Sequence, residues 1–309
     1  MENGRKLEKY GVEKFGRLKK VMLHKPVDTL KRVYQDNFNM FTNGIPDVNK
    51  YLEEHDEYEK LLEKYGVEVL HLCDYVNKNI ELMNNHQTIT CLHDSSVITS
   101  KGAILSRMCH PGRLGEEIVI KEALTNLGIP IFFEFAADDR FEGCLLLSPE
   151  TIFIANTERH TKESIEKFIP RALELFDEII YVDIPKEKRF MHPDMIFSRV
   201  SPSLSLVYLP AFLKTYHITR DKKTEIDFEK FMNSRSIELI NVSDEEQRRW
   251  GCSFVPLEPN TFFNYEFSLN AQTRKKLEQR GVQIIGFNVS NFFYDGGSLR
   301  CHTLRLLRE

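Results

Sequence analysis

The sequence predicts an α/β fold built from a repeated unit, and three observations carry that prediction. A charged helix, a glycine and a short apolar strand recur in that order along the chain. Strand pairs joined by tight turns lie between these units. Neither GxGxxG nor GxxxxGK[ST] occurs, so a doubly wound, phosphate-cradling sheet is not indicated and the recurrence points to a repeat architecture.

Arg17–Leu23 reads as the first strand, closed by Lys25-Pro26. Asn49–Tyr65 places Tyr51, Leu52, Tyr58, Leu61 and Leu62 at helical spacing and stops at Gly66; Val67–Leu72 then reads as a strand. Glu116–Leu127, Gly128 and Ile129–Phe135 repeat the order, as do Ala271–Arg280, Gly281 and Val282–Phe287. Lys162–Phe176 leads into Ile179–Val182 without the glycine, and Pro170 argues against one unbroken helix there. Ser96–Ser100 and Ala103–Arg107 read as a hairpin turned by Lys101-Gly102.

A chain of 309 residues can bury a large core, and no linker or low-complexity tract divides it. It reads as one catalytic domain over 1–309, with residues 1–16 as an N-terminal extension. A net charge of -4 with scattered Lys and Arg argues against a nucleic-acid or acidic-membrane partner. The polar opening MENGRKLEKYGVEKFGRLKK lacks the apolar core of a secretory signal. No run reaches the roughly 18–20 apolar residues of a membrane span. The six cysteines, Cys73, Cys91, Cys109, Cys144, Cys252 and Cys301, contain no CxxC pair, so a structural zinc site is not indicated. Reduced thiols and a cytoplasmic location are expected.

Four segments hold residue types that packing alone does not explain. In MHPDMIF, a strand over Met191–Phe197 would aim His192 and Asp194 at one face, a pair suited to proton transfer and cation binding. A polar surface strand would carry the same residues. In GGSLRCHTL, two glycines allow close backbone approach to a ligand, and Arg300 and His302 flank Cys301, where positive charge favours the nucleophilic thiolate. A buried structural cysteine is the alternative there. In RFEGCLLL, Glu142 stands where a carboxylate could orient a base, and in TCLHDSSVIT, Asp94 stands at a strand entry. Arg113 in HPGRLGEE and Arg159 in NTERHT could each clamp a carboxylate, although surface ion pairs would look the same.

Taken together, these segments resemble the guanidine-modifying enzyme superfamily of pentein fold, which includes arginine deiminases, dimethylarginine dimethylaminohydrolases and amidinotransferases. The order matches: an early site acid, an FEGGD-type segment, HxD, and a C-terminal GGxxxC. PDVNKYLEEHDEYEKLLEKYGVEV resembles the EHD-containing helix of arginine deiminases, and ILSRMCHPGRLGEE their RM…R…E stretch. The resemblance runs from Val21 to Leu304. It implies a pentein α/β propeller of about five ββαβ repeats around a central site with pseudo-fivefold symmetry. It further implies Cys301 as nucleophile, His192 as general acid and base, Glu142 orienting His192, Asp94 and Asp194 gripping the guanidinium, and Arg113 and Arg159 holding a substrate α-carboxylate.

The implied reaction is hydrolysis of a C–N bond in a linear amidine, free arginine going to citrulline and ammonia through a thiouronium on Cys301. It calls for no metal or organic cofactor, and its partner is a small guanidino α-amino acid; homo-oligomerisation stays open. The chain departs from the family pattern at Cys144-Leu145, which replace the last Gly-Asp of FEGGD. It departs also at Thr88 and Cys91 in place of Asn and Phe, at His93 in place of Arg, and at Gly296, where deiminases carry Arg. It lacks the length for the inserted helical domain of full deiminases. An amidinotransferase using the same thiol and a non-catalytic pentein binding protein are the competing readings.

Overall fold

The computed structural model describes residues 6–25, 46–86 and 89–309. Within them the strands form five small sheets, four of three strands and one of five. Each sheet contains the same local unit: an antiparallel strand pair, then a helix, then a third strand returning parallel to the second.

The unit reads along the chain as follows. Ser96–Thr99 pairs antiparallel with Gly102–Leu105, helix Glu116–Asn126 follows, and Ile131–Glu134 returns parallel. Leu145–Leu146, Thr151–Asn156, helix Lys162–Leu175 and Glu178–Asp183 repeat it, and Lys214–Ile218 with Lys223–Ile226 extend that sheet to five strands. Phe197–Ser201, Leu204–Val207, helix Phe228–Ser234 and Glu238–Asn241 form the next unit. Val255–Glu258, Thr261–Tyr265, helix Ala271–Glu278 and Gln283–Phe287 form another. The remaining unit joins the two ends of the chain. Leu304–Arg308 pairs antiparallel with Leu18–Leu23, helix Val48–Lys64 follows, and Glu68–His71 returns parallel. The long apolar runs are thus divided among several sheets, each packed against a helix.

Local chemistry explains the element ends. Asp47 caps Val48–Lys64 by accepting from the Lys50 amide at 3.1 Å, and Tyr51, Tyr58 and Leu62 give the helix its buried stripe. Helix Lys162–Leu175 continues through Pro170, against the sequence expectation of a break. Pro170 lies on the exposed face while Ile165, Phe168, Ala172 and Leu173 hold the other face in the core. The hairpin turn is Ser100-Lys101, one residue earlier than expected, because Gly102 already pairs with Thr99. Gly102 has φ +127 and comes so close to Pro130 that a Cβ would stand 2.5 Å from that carbonyl oxygen.

Two further expectations change. Met191–Phe197 is not a strand: Pro193–Met195 forms a 3-10 turn with Pro193 in its first position, and the strand starts at Phe197. Proline has no N–H for a ladder, and its fixed φ suits a first helical turn. Residues 6–16 bond to the body of the protein, with Leu7 N–H donating to the Leu127 carbonyl, Gly11 N–H to Leu306 and Val12 N–H to Ile98 at 2.8–3.1 Å. Residues 1–5, Pro26 and Thr88 lie outside the described residues. No helix among those described is long and apolar enough to cross a membrane.

Candidate active site

The site is assembled by loops at strand ends, and its members come from sequence positions more than 200 residues apart. Cys301 sits in the one-turn helix Leu299–His302, which leads into the C-terminal strand. Ser298 caps that turn: its hydroxyl accepts from the Arg300 amide at 3.2 Å and the Cys301 amide at 3.3 Å, and lies 3.5 Å from the Cys301 Sγ. Glu54, from the EHD helix, accepts backbone N–H bonds from Ser290, Asn291 and Phe292 at 2.7–2.9 Å. That carboxylate therefore fixes the loop leading to the cysteine.

His192 occupies an extended residue just before the Pro193 turn. Its Nε2 is 2.9 Å from Glu142 Oε2, and its Nδ1 is 3.3 Å from Asp94 Oδ1. Glu142 is held in turn by the Cys109 amide, and its loop is clamped by Arg107 and Phe141, whose backbones exchange bonds at 2.9 and 3.2 Å. Phe141 stacks between Phe135 and His160, at 4.5 and 4.4 Å between ring centres. Cys301, His192, Glu142, Asp94 and Asp194 are all 5% exposed or less, so each ionisable group feels its neighbours with little screening by water.

That burial decides the protonation pattern. Burial drives the His192 imidazole down from 6.5, but Asp94, the Glu142 bond and Asp194 outweigh it and the net direction is up. Burial pushes the Glu142 carboxyl up, yet the His192 bond and charge, with Arg159 and Arg113 behind them, hold it well below the usual range. The Cys301 thiol moves the other way. Burial first, then Asp94 and Asp194, push it well above 9, and the Ser298 bonds recover only part. The expectation that flanking positive charge favours the thiolate is therefore corrected. The Arg300 guanidinium donates to His93 Nε2, Ser198 Oγ and the Phe254 carbonyl at 3.1–3.3 Å, so its field does not offset the two carboxylates.

The two candidate carboxylate clamps differ. Arg113 is buried, with Nε and Nη2 on Glu116 at 3.0 and 2.8 Å, Nη1 on Asp94 at 2.8 Å and Nη2 on the Cys91 carbonyl at 3.1 Å. Four of its five N–H donors are directed at protein groups, so it holds Asp94 in place. Arg159 is less committed: Nη1 stands 3.5 Å from Glu142 Oε2, Nε bonds Glu158 at 3.1 Å, and its side chain is 11% exposed.

Several members carried no signal of their own in the sequence. Ser253 donates to Asp194 Oδ2 and lies 2.6 Å from the Ser298 hydroxyl, linking the acid to the turn that bears the thiol. Serine at such positions has no motif, and neither Ser253 nor the capping Ser298 was singled out from the sequence. His93 replaces the family arginine as an acceptor, its imidazole held well below 6.5 by burial and then by Arg300 and Arg305. Cys144 belongs to the apolar core, while Cys91 offers its carbonyl to Arg113.

Comparison with known proteins places the chain in a family. The arginine deiminase family model matches residues 76–308. The chain is 27% identical over 295 residues to the uncharacterized protein YkgA of Bacillus subtilis, covering 95% of this chain and 93% of that protein. It is 27% identical over 205 residues to the arginine deiminase of Mycoplasma capricolum, covering 59% of this chain and 50% of that enzyme, and so aligns with about half of that relative's length. Among solved structures, the N-terminal domain of ArgZ, covalently bound to a reaction intermediate, superposes with TM-score 0.71 at 18% identity, over 93% of this chain and 97% of that one. A dimethylarginine dimethylaminohydrolase adduct superposes with TM-score 0.65 at 17% identity, over 93% of this chain and 99% of that one. The structures show a shared fold; the family model, spanning most of the chain and ending just past Cys301, shows more. The chain belongs to the arginine deiminase family, within the pentein guanidine-modifying enzymes that hydrolyse C–N bonds of linear amidines.

Proposed function

We propose that this protein hydrolyses the guanidino group of a free amino acid, arginine first among the candidates, to the ureido product and ammonia. The observation that carries the reading is the environment of His192. It is a buried imidazole held between two carboxylates, and Asp94 and Asp194 lie within electrostatic reach of both that imidazole and the Cys301 thiol.

A guanidinium is a planar cation and a poor electrophile. Asp94 and Asp194 would accept its N–H bonds and fix its plane. Bringing that cation between the two acids also cancels the charge that keeps the thiol protonated, so substrate binding itself promotes the thiolate. The Cys301 sulfur then bonds to the central carbon. Protonated His192 gives its proton to the departing nitrogen, the C–N bond breaks and ammonia leaves a thiouronium. Water adds to that carbon and passes one proton to His192; the C–S bond breaks, the remaining hydroxyl proton goes to the departing sulfur, and citrulline leaves with the thiol restored. The released ammonia takes up the proton that Cys301 lost to solvent on substrate binding. Glu142 keeps the imidazole basic enough for both transfers. Arg159 is the group placed to meet an α-carboxylate, and Arg113 acts by positioning Asp94.

The same reading treats residues 1–309 as one catalytic domain whose five sheets are blades of a propeller around the site. It expects a reducing, cytoplasmic setting, since the nucleophile must stay a free thiol. The test is product analysis with arginine, with and without an acceptor amine. Citrulline and ammonia support the hydrolase, whereas ornithine with a new guanidine would make it an amidinotransferase. Cys301→Ser should abolish turnover with the fold intact, because a serine hydroxyl at its ordinary pKa is a far weaker nucleophile. Absence of any product from a panel of guanidino compounds, with Cys301 unlabelled by a haloacetamidine at neutral pH, would favour a binding protein.

A further inference from the structure

Apart from the residues given roles above, the structure holds a second concentration of charge without an obvious counter-charge. A cavity of about 40 Å³ is lined by Arg199, Arg300, Arg305 and Arg308, together with Ser198 and Pro256. Its lining also includes exposed Lys14 and Pro259, so it reaches the surface. Two carboxylates share the lining, one charge-paired and one bonded only to a neutral amide and still an anion of the lining. Glu258 pairs with Arg17 at 2.7 Å, and both oxygens of Glu13 accept from the Ser100 amide at 3.0 and 3.2 Å.

The arginines make neutral bonds or none. Arg300 donates to His93, Ser198 and the Phe254 carbonyl; Arg308 to the carbonyls of Gly16 and Pro256; Arg199 to those of Ser201 and Pro202. Arg305 is 9% exposed, and its Nε is fully buried with no hydrogen-bond acceptor among the described residues. No carboxylate among the described residues comes within ion-pair distance of any of the four. Buried guanidinium groups are normally paired with an acid or an anion, because an unpaired buried charge is costly. Asp194 acts on Arg300 and Arg305 from beyond ion-pair distance, yet burial and then the neighbouring arginines still push Arg305 well below its ordinary value; burial and Arg300 bring Arg308 down to about 9, and burial brings Arg199 to about 10.

We propose that this cavity is a binding site for one small oxyanion of the phosphate class. A void of about 40 Å³ has room for roughly three water-sized groups, which suits a compact oxyanion. Planar guanidinium forks match the oxygens of such a group, and several converging charges favour a divalent anion over a monovalent one. The opening beside Lys14 and Pro259 would let a phosphomonoester enter by its phosphate end, so free phosphate and a phosphorylated metabolite share the site's chemistry. The site stands apart from the proposed hydrolysis, and binding at it does not depend on that reaction.

The experiment is equilibrium binding to the full chain in a buffer free of phosphate and sulfate, with chloride at matched ionic strength. Inorganic phosphate and glycerol phosphate are titrated by calorimetry and by ³¹P NMR line width. Saturable one-to-one binding of either supports the site, and the tighter of the two identifies the source. Arg305→Met should weaken binding at least about tenfold, the scale of one lost charge-assisted bond. Arg308→Gln serves as a second variant should the first not fold. Cys301→Ala should bind phosphate within about twofold of the parent. Chloride-like, non-saturable behaviour of the unmodified protein would overturn the proposal. Undiminished binding in both arginine variants would do so too, as would loss of binding in Cys301→Ala, which would place the anion beside the thiol.

Discussion

Replacing Glu142 by Gln removes one of the carboxylates that raise the proton affinity of His192, alongside Asp94. The side chain keeps its size, and its amide oxygen can still accept from Nε2 at the 2.9 Å separation, so the imidazole keeps its orientation. What disappears is a negative charge buried against the ring. A hydrogen bond to a charged group is worth about 1.5–3 kcal/mol, and one pKa unit corresponds to about 1.4 kcal/mol. The His192 pKa should therefore fall, and only in part, because Asp94 and Asp194 still raise it. The sign in the rate follows. His192 must carry its proton when nitrogen departs, so activity is lost as pH rises through its pKa, and the basic limb of the kcat profile moves to lower pH. Citrulline release across pH measures it, and an NMR titration of the ring in ligand-free protein measures the same shift without turnover. Stability should fall by about 2 kcal/mol, roughly 3 °C in Tm for a chain of this length. A basic limb that stays in place, or moves up, would refute the assignment of Glu142 as a group that raises His192.

Three further outcomes follow from the same electrostatics. Asp194→Asn removes one of two charges that hold the Cys301 thiol protonated, so its alkylation by iodoacetamide near pH 8, followed on the Cys301 peptide, should quicken about 3–10-fold while turnover falls about a hundredfold or more; slower alkylation would contradict the thiol's environment as described. Arg159→Ala should raise KM for arginine about 10–100-fold and leave a simple alkylguanidine little changed, and equal effects on both would remove its carboxylate role. His24 and His160 are held at about 4 and His55 at about 3, chiefly by burial. These folded values lie below the unfolded 6.5, so the unfolded chain gains protons first as pH falls and each ring costs about 2 kcal/mol of stability by pH 5. His192, raised, contributes in the opposite sense and only above 6.5. Urea midpoints that are flat from pH 6.5 to 5 would contradict the buried neutral rings.

The helix, glycine and strand units were legible because each is local. Apolar spacing and a stop lie within about twenty residues, as in Asn49–Gly66, and the structure moves their ends by only a few residues. The types of the candidate site groups were legible too: Glu142 beside Gly143, His192 with Asp194, and Cys301 after two glycines stand in short segments. One local signal was misread, since Pro193 already argued for a turn where a strand was expected.

Tertiary structure decided what those groups can do. Antiparallel pairing of Leu304–Arg308 with Leu18–Leu23 joins the two ends of the chain and sets the Cys301 turn against the Leu92–Ser95 turn that carries Asp94. Arg113 and Arg159 look equivalent as letters, yet Glu116 and Asp94 enclose one while the other meets Glu142 only at 3.5 Å. Arg300 next to Cys301 suggested a thiolate, and the fold turned that guanidinium toward His93 and left the sulfur facing two acids. The reason is physical: backbone preferences act over a few residues and can be read in order, whereas a protonation state depends on the summed field and burial from segments distant along the chain, which exist only once the chain has packed.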